Sequence, residues 1–294
     1  MSTLKGSSTG VAVITPFNED GTVDFISLSS TINFLIQNGI DFLVALGTTG
    51  ESVTLKPEEK EAIFATFVKV VDGRVPLVMG LGGNNTQGLV EELIAVDTTG
   101  YDAILSVTPY YNRPTQEGLY RHYMALDNVT KIPLILYNVP GRTGVNMTAQ
   151  TTLRLAQNAK NIIGVKDASG DLSQGLDIIT HAPKGFLVFS GDDETAISLT
   201  LLGGSGVISV AAGGFPKTFC AGINAALEKD ELTAKRIANQ LLPVIELLFK
   251  EGNPAGIKAV SKLKNLTNDT VRLPLVKASE ELTAALKPFV EQLD

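Results

Sequence analysis

Tryptophan is absent from this chain of 294 residues, and cysteine occurs once, as Cys220. A single cysteine closes no disulfide within the chain and builds no thiolate metal cluster. Stability must therefore come from a core, which a chain of this length can bury without staples. Nothing electropositive surrounds Cys220, which reads as a small packed apolar residue rather than a nucleophile. Histidine is almost as scarce, with only His122 and His181. His122 falls in the helical stretch GLYRHYMAL, and His181 precedes Pro183 in an expected loop. Without imidazole partners, the acidic run Asp192-Asp193-Glu194 makes a poor metal site, and none is expected. Basic charge is short as well: 24 Lys and Arg against 31 Asp and Glu leave a net charge of −7. That argues against nucleic acid as a main partner, which a basic face usually marks. No apolar run approaches the ~18 residues of a membrane span, and the N-terminal run is too short for a secretion signal. The chain is expected in the cytoplasm.

What is abundant is short β-rich runs. They are Val11–Phe17, Phe42–Leu46, Pro76–Leu81, Ala103–Thr108, Pro133–Tyr137, Ile162–Lys166, Phe186–Ser190 and Gly206–Ala211. They are continuous rather than alternating, the pattern of parallel strands covered on both faces. Helical spacing lies between them. Asp24 can cap a helix through Leu28, Ile32 and Leu35 that ends at Gly39, and Pro57-Glu58-Glu59 reads as another start. A third helix through Val90–Val96 is expected to end at Gly100. Eight β-plus-α units in series argue for an α/β fold, a (β/α)₈ TIM barrel. The competitor is an open doubly wound sheet, but GLGGNN after the third run lacks the dinucleotide spacing G-x-G-x-x-G. Past about residue 215 the pattern is helical only, over Glu231–Lys250, Ala255–Lys264 and Glu280–Gln292. The expected organisation is a catalytic barrel over 1–225 and a C-terminal helical bundle over 226–294 packed on it.

In such barrels chemistry collects at the carboxyl ends of the strands. There stand Thr48 and Thr49 in GTTGE, Tyr110 and Tyr111 in TPYYNRP, Tyr137 and Arg142 in YNVPGRTG, and Lys166 at the end of IIGVK. A lysine ending a buried-looking strand can snorkel into water. It can also lose hydration at the barrel mouth, which favours the neutral amine that attacks a carbonyl to form a Schiff base. The neighbours suit the second reading. Tyr137 can move protons, the glycine-flanked Thr48-Thr49 turn can hold a carboxylate, and Arg142 can clamp a second one. Each has a plainer alternative: the threonines can merely close a turn, Tyr110 can be packing, Arg142 a surface cation. Convergence favours a lysine-dependent aldolase acting on a keto acid with an anionic second reactant. A reading from another class is a catalytically idle barrel that binds a small carboxylate.

The ordered motifs GTTGES (47–52), TPYYNRPTQEGLY (108–120), YNVPGRTG (137–144), IIGVKDASG (162–170) and SGDD (190–193) span nearly the whole chain. Together they resemble the pyruvate-dependent Schiff-base aldolases, the family of dihydrodipicolinate synthase and N-acetylneuraminate lyase. The resemblance implies that Lys166 forms an imine with pyruvate, so no separate cofactor is expected. It implies a proton relay of Thr49, Tyr137 and Tyr111, with Thr48 and Thr49 on the pyruvate carboxylate and Gly191 and Ile208 lining the pocket. The lyase branch usually has Ser-Thr in place of Thr48-Thr49 and lacks an arginine after its Tyr-Asn-x-Pro turn. Arg142 resembles the synthase residue that holds the carboxylate of L-aspartate 4-semialdehyde.

The implied reaction is aldol condensation of pyruvate with that semialdehyde and then cyclisation, in lysine and diaminopimelate biosynthesis. The alternative is a related aldolase acting on N-acetylneuraminate or a keto-deoxy sugar acid. In the family Tyr111 crosses a tight dimer interface, so a homo-oligomer is expected, a dimer of dimers. Lysine-inhibited members carry glutamate where this chain has Gly88, and some carry histidine at Lys60, although Ser52, Asn84 and Tyr110 match that regulatory site. Weak or absent feedback by lysine is therefore expected.

Overall fold

The computed structural model describes residues 8–293. All eight predicted strands form, as β1 (Ser8–Ala12), β2 (Phe42–Ala45), β3 (Leu77–Gly80), β4 (Ala103–Val107), β5 (Leu134–Asn138), β6 (Ile162–Asp167), β7 (Leu187–Ser190) and β8 (Gly206–Ser209). Each pairs in parallel with the next, and β8 returns to β1, closing the barrel. Around it run α1 (Phe25–Gln37), α2 (Pro57–Val71), α3 (Thr86–Ala95), α4 (Gln116–Asp127), the short α5 (Pro140–Thr143), α6 (Ala149–Asn158), α7 (Leu172–His181), α8 (Ala196–Leu201) and α9 (Pro216–Leu227). Three further helices follow, α10 (Glu231–Lys250), α11 (Ala255–Leu263) and α12 (Glu280–Gln292). No helix among the described residues is long and apolar enough to cross a membrane.

Strands buried on both faces produce two separate cores. The larger lies between sheet and helices and holds Leu136, Val165 and Val188. The smaller fills the barrel with Phe42, Val44, Leu105, Tyr137, Phe189 and Ile208. The Phe42 and Phe189 rings meet there at 5.5 Å. Gly10 leaves the room for this, because a Cβ on it would stand 2.2 Å from Phe42 Cζ.

The local signals that start helices hold. Asp24 caps α1 by accepting from the Ile26 and Ser27 amides, and Pro57 opens α2 with Glu58 and Glu59 in its first turn. Most other boundaries shift by one to three residues, and three differences have a plain physical reason. β1 ends at Ala12, not Phe17: Pro16 has no N–H for a ladder, and Phe17 instead bridges Val23 and packs into the outer core with Lys258 and Arg272 against its ring. α3 ends at Ala95, where Val96 turns extended and Asp97 accepts from the Thr99 amide; Gly100, at φ +83°, belongs to the following turn. His181 is the last residue of α7 rather than a loop residue, and its Nδ1 reaches Asp177 one turn back.

Candidate active site

The barrel register brings Tyr137 and Lys166 side by side. Tyr137 of β5 pairs with Lys166 of β6, and Lys166 pairs with Phe189 of β7. Because side chains alternate along a strand, these three point into the barrel while Leu136, Val165 and Val188 point out. Lys166 is only 4 % exposed, and its Nζ lies 4.3 Å from the centre of the Tyr137 ring. None of the ion pairs among the described residues involves it. Gly191 makes room for its stem: a Cβ there would stand 2.8 Å from Lys166 Cε and 2.9 Å from Cγ. Ile208, fully buried, belongs to the same apolar interior. The snorkelling alternative fails, since the amine stays inside.

Above this interior opens a cleft of about 330 Å³ walled in part by Gly47, Thr48, Tyr110, Tyr137 and Arg142. Tyr137 links the two levels, under the amine and on the cleft wall. Thr48–Gly50 form a 3₁₀ turn, entered through Leu46 at φ 55°. The turn leaves its first amide N–H groups unused by its own hydrogen bonds. Thr15 fixes it from beneath by donating its hydroxyl to Gly50 O at 2.7 Å. Thr49 is buried, and its Oγ1 accepts from Asn253 Nδ2 at 3.0 Å. Arg142 is exposed, on α5, and its guanidinium donates to Asn253 O at 3.4 Å.

Tyr111 is the exception. It is 90 % exposed, does not line the cleft, and is held in the left-handed region at φ 71°. Of the eight expected residues, Thr48, Tyr137 and Arg142 wall the cleft, Lys166, Gly191 and Ile208 lie in the barrel interior, Thr49 is buried in the turn against Asn253, and Tyr111 faces outward. The acidic run is structural in its contacts. Asp193 accepts from the Val210 and Ala211 amides, with its carboxyl pushed up to about 6 by burial, and Asp192 accepts from Thr195. His122 is buried against Thr86 and kept neutral, burial pushing it down to about 4.

The dihydrodipicolinate synthetase family model matches residues 5–293. The chain belongs to that family. A 4-hydroxy-tetrahydrodipicolinate synthase from Flavobacterium psychrophilum is 48 % identical over 285 residues, covering 97 % of each chain. The chloride-inhibited dihydrodipicolinate synthase of Acinetobacter baumannii, solved with pyruvate, is 41 % identical, with a TM-score of 0.93 and 98 % of both chains covered. That of Cyanidioschyzon merolae, solved with lysine bound, is 34 % identical, with a TM-score of 0.92 over 98 % of this chain and 99 % of that one.

In this member of the family the C-terminal segment packs behind the Thr48–Gly50 turn with residues that sequence reading missed. Glu51, left-handed at φ 53° just after the Thr48–Gly50 turn, is buried with Lys258 of α11. The Lys258 ammonium also donates to Thr270 O at 2.8 Å, and Glu51 accepts from the Arg272 amide at 3.0 Å. Burial pushes Lys258 down to about 8, with Glu51 pulling it back up. Arg272 forks onto Glu59, whose carboxyl is held down to about 2 by those hydrogen bonds. Phe17 lies between the two cations, 4.2 Å from Lys258 Nζ and 4.5 Å from Arg272 Cζ. The only sequence signal for Lys258 was its place at helical spacing between Ala255 and Ala259, and for Asn253 there was none beyond the helix break EGNP.

Proposed function

We propose that this synthetase-family chain condenses pyruvate with L-aspartate 4-semialdehyde and cyclises the product, as a 4-hydroxy-tetrahydrodipicolinate synthase. One observation carries the reading: a buried amine without an acid partner, resting on a tyrosine ring that also walls the cleft where Arg142 stands. Lys166 Nζ adds to the keto carbon of pyruvate. The carbinolamine loses water to give an imine, and loss of a methyl proton gives an enamine. The enamine carbon attacks the aldehyde, whose oxygen takes a proton. The amine of the semialdehyde then closes the ring and displaces Lys166. The cofactor role is filled by the covalent imine itself.

Tyr137 and Thr49 move the protons in this scheme, and Thr48 and Thr49 hold the pyruvate carboxylate through their amides and hydroxyls. Arg142 takes the distal carboxylate, its exposed position suiting a reactant that arrives second. Gly191 and Ile208 shape the floor around the imine. Tyr111 completes the relay from a partner subunit, an assignment supported by its exposure and its constrained backbone, and the assembly is a dimer of dimers in the cytoplasm. Residues 1–225 carry the catalysis, and 226–294 brace it from outside.

A steady-state assay with both substrates tests the reading: turnover of pyruvate that requires the semialdehyde supports it. Cleavage of N-acetylneuraminate or a keto-deoxy sugar acid without that turnover overturns it. Gly88 offers no carboxylate to an effector ammonium, and a Cβ there would stand 3.2 Å from Asn85 Nδ2. Lysine is accordingly expected to inhibit weakly or not at all, which inhibition at submillimolar lysine would contradict.

A further inference from the structure

The loop that carries Arg142 leaves the barrel at Asn138, the last residue of β5, and returns at Asn146 and Met147. One carboxamide pins both ends: Asn138 Oδ1 accepts from the Met147 amide at 2.9 Å, and Nδ2 donates to Asn146 Oδ1 at 2.7 Å. The remaining N–H reaches Asp167 Oδ1 at 3.0 Å. Asp167 pairs with Asn138 across β5 and β6, one step beyond the pairing of Tyr137 with Lys166. Both residues are buried, on the face of the sheet turned away from the amine. Gln174, in the first turn of α7, closes the ring. Its Oε1 accepts from Asn146 Nδ2 at 2.8 Å, and its Nε2 donates to Asp167 Oδ2 at 2.9 Å. The direction of these bonds is fixed, because a backbone amide only donates: Met147 orients Asn138, which orients Asn146, which orients Gln174. Asp167 is where the donors end, and it accepts from the Ser169 amide as well, at 3.0 Å. No ion pair among the described residues includes it.

We propose that Asp167 is a positioning residue that registers the Arg142 loop against Lys166, and so sets the span between the imine and the carboxylate clamp for the second substrate. The inference rests on the part given to Arg142 in the proposed function. Lys166 faces the barrel and Asp167, the next residue, faces out, so the strand that carries the nucleophile also holds the base of the arginine loop. The Asp167 main chain acts in the same place, its carbonyl accepting from the Gly191 amide at 2.7 Å beside the Lys166 stem. Gln116 of α4 holds the loop independently, donating to Asn146 O at 2.8 Å. Losing the tie to β6 therefore shifts the arginine loop without releasing it, while Tyr137 and Lys166 keep their own strand pairing.

Asp167→Asn keeps the outline but brings an N–H against a donor. Flipping amides around the ring moves that mismatch without removing it, since the Met147 amide cannot turn over. Gln174→Met leaves the α7 corner without a polar partner. The double variant, Asp167→Asn with Gln174→Glu, moves the carboxylate to α7. The new carboxamide then donates to it and still accepts from Asn138 and the Ser169 amide, and Asn146 keeps its acceptor. Two rates are read at saturating pyruvate: kcat/KM for the semialdehyde, and formation of the pyruvate adduct under borohydride. Asp167→Asn should lower the first about tenfold, part of what a misplacement on the order of 1 Å costs, and leave the second as in the parent. Gln174→Met should lower it less, and the double variant should recover most of the loss. Equal loss in both rates, as a purely structural role predicts, overturns the proposal, as does no loss at all or a double variant no better than Asp167→Asn. Should Asp167→Asn not fold, parent-like kcat/KM in Gln174→Met overturns it just as well. A parent that traps no pyruvate, or traps it and does not turn over the semialdehyde, overturns the functional reading and this inference together. Parent turnover with unselective or absent effects in the variants overturns the inference alone.

Discussion

Lys166 and Lys258 are both buried, at 4 % and 0 % exposure, but their surroundings differ in kind. Lys258 has a carboxylate, a backbone carbonyl and an aromatic face around its ammonium. Lys166 has an aromatic face and the apolar barrel, and no acid. A buried charge that is paired and hydrogen-bonded is tolerable, and an amine left without a partner is costly unless it sheds its proton. The same side chain is thereby a brace in one place and, in the proposed reaction, the nucleophile in the other. Burial alone does not separate the two lysines; the absence of a counter-charge at Lys166 does.

Replacing each lysine by methionine should split the two roles most sharply. Lys166→Met is expected to lower turnover by at least about a thousandfold, the scale seen when a covalent nucleophile is removed, while raising thermal stability because an unpartnered amine leaves the interior. Lys258→Met should do the opposite, destabilising by about 3–5 kcal/mol because Glu51 is left buried without its counter-charge, held by the Arg272 amide only. Adding Glu51→Gln to Lys258→Met should restore part of that loss, measured by urea unfolding, since the stranded charge is then gone. Equal stability losses for the two lysine variants would break the distinction.

A smaller effect is expected at Arg142. Arg142→Ala should cost roughly ten- to a hundredfold in kcat/KM for the semialdehyde, about 1.4–2.7 kcal/mol, with trapping of pyruvate on Lys166 preserved. Equal loss of both steps would count against its assignment to the second substrate.

The least is expected from acid. Glu59 is held below its ordinary value by Arg272, so the folded state binds its proton less readily than the unfolded chain does. The stability this supplies is complete above pH 4.5 and is lost as pH falls toward 2. Because the pair is partly exposed, about 1–2 kcal/mol is at stake after solvent screening. Urea midpoints of the parent and Arg272→Met should therefore converge between those pH values; a constant gap would show that the pair contributes no such slope.

These contrasts also mark what was legible in the sequence. The eight strands, the Asp24 cap and the Lys166 and Thr48-Thr49 positions are written in local patterns, a buried run ending in one polar residue or a turn flanked by glycines. Lys258 and Asn253 are not, because their partners Glu51 and Thr49 lie 207 and 204 residues away, and no local period encodes a pairing at that range. β1 misled for the same reason. Phe17 is as apolar as a strand residue, but it packs in the outer core with Lys258 and Arg272, far along the chain, against its ring. Tyr111 was legible as a motif member, but its outward position depends on a left-handed backbone that composition does not announce.

Borohydride reduction in the presence of pyruvate, followed by peptide mass mapping, puts the comparison of the two buried lysines to the most direct test. The expected result is one pyruvate-derived adduct, on the peptide carrying Lys166, with Lys258 unmodified. An adduct on Lys258 or any other lysine, or none at all, would contradict the account.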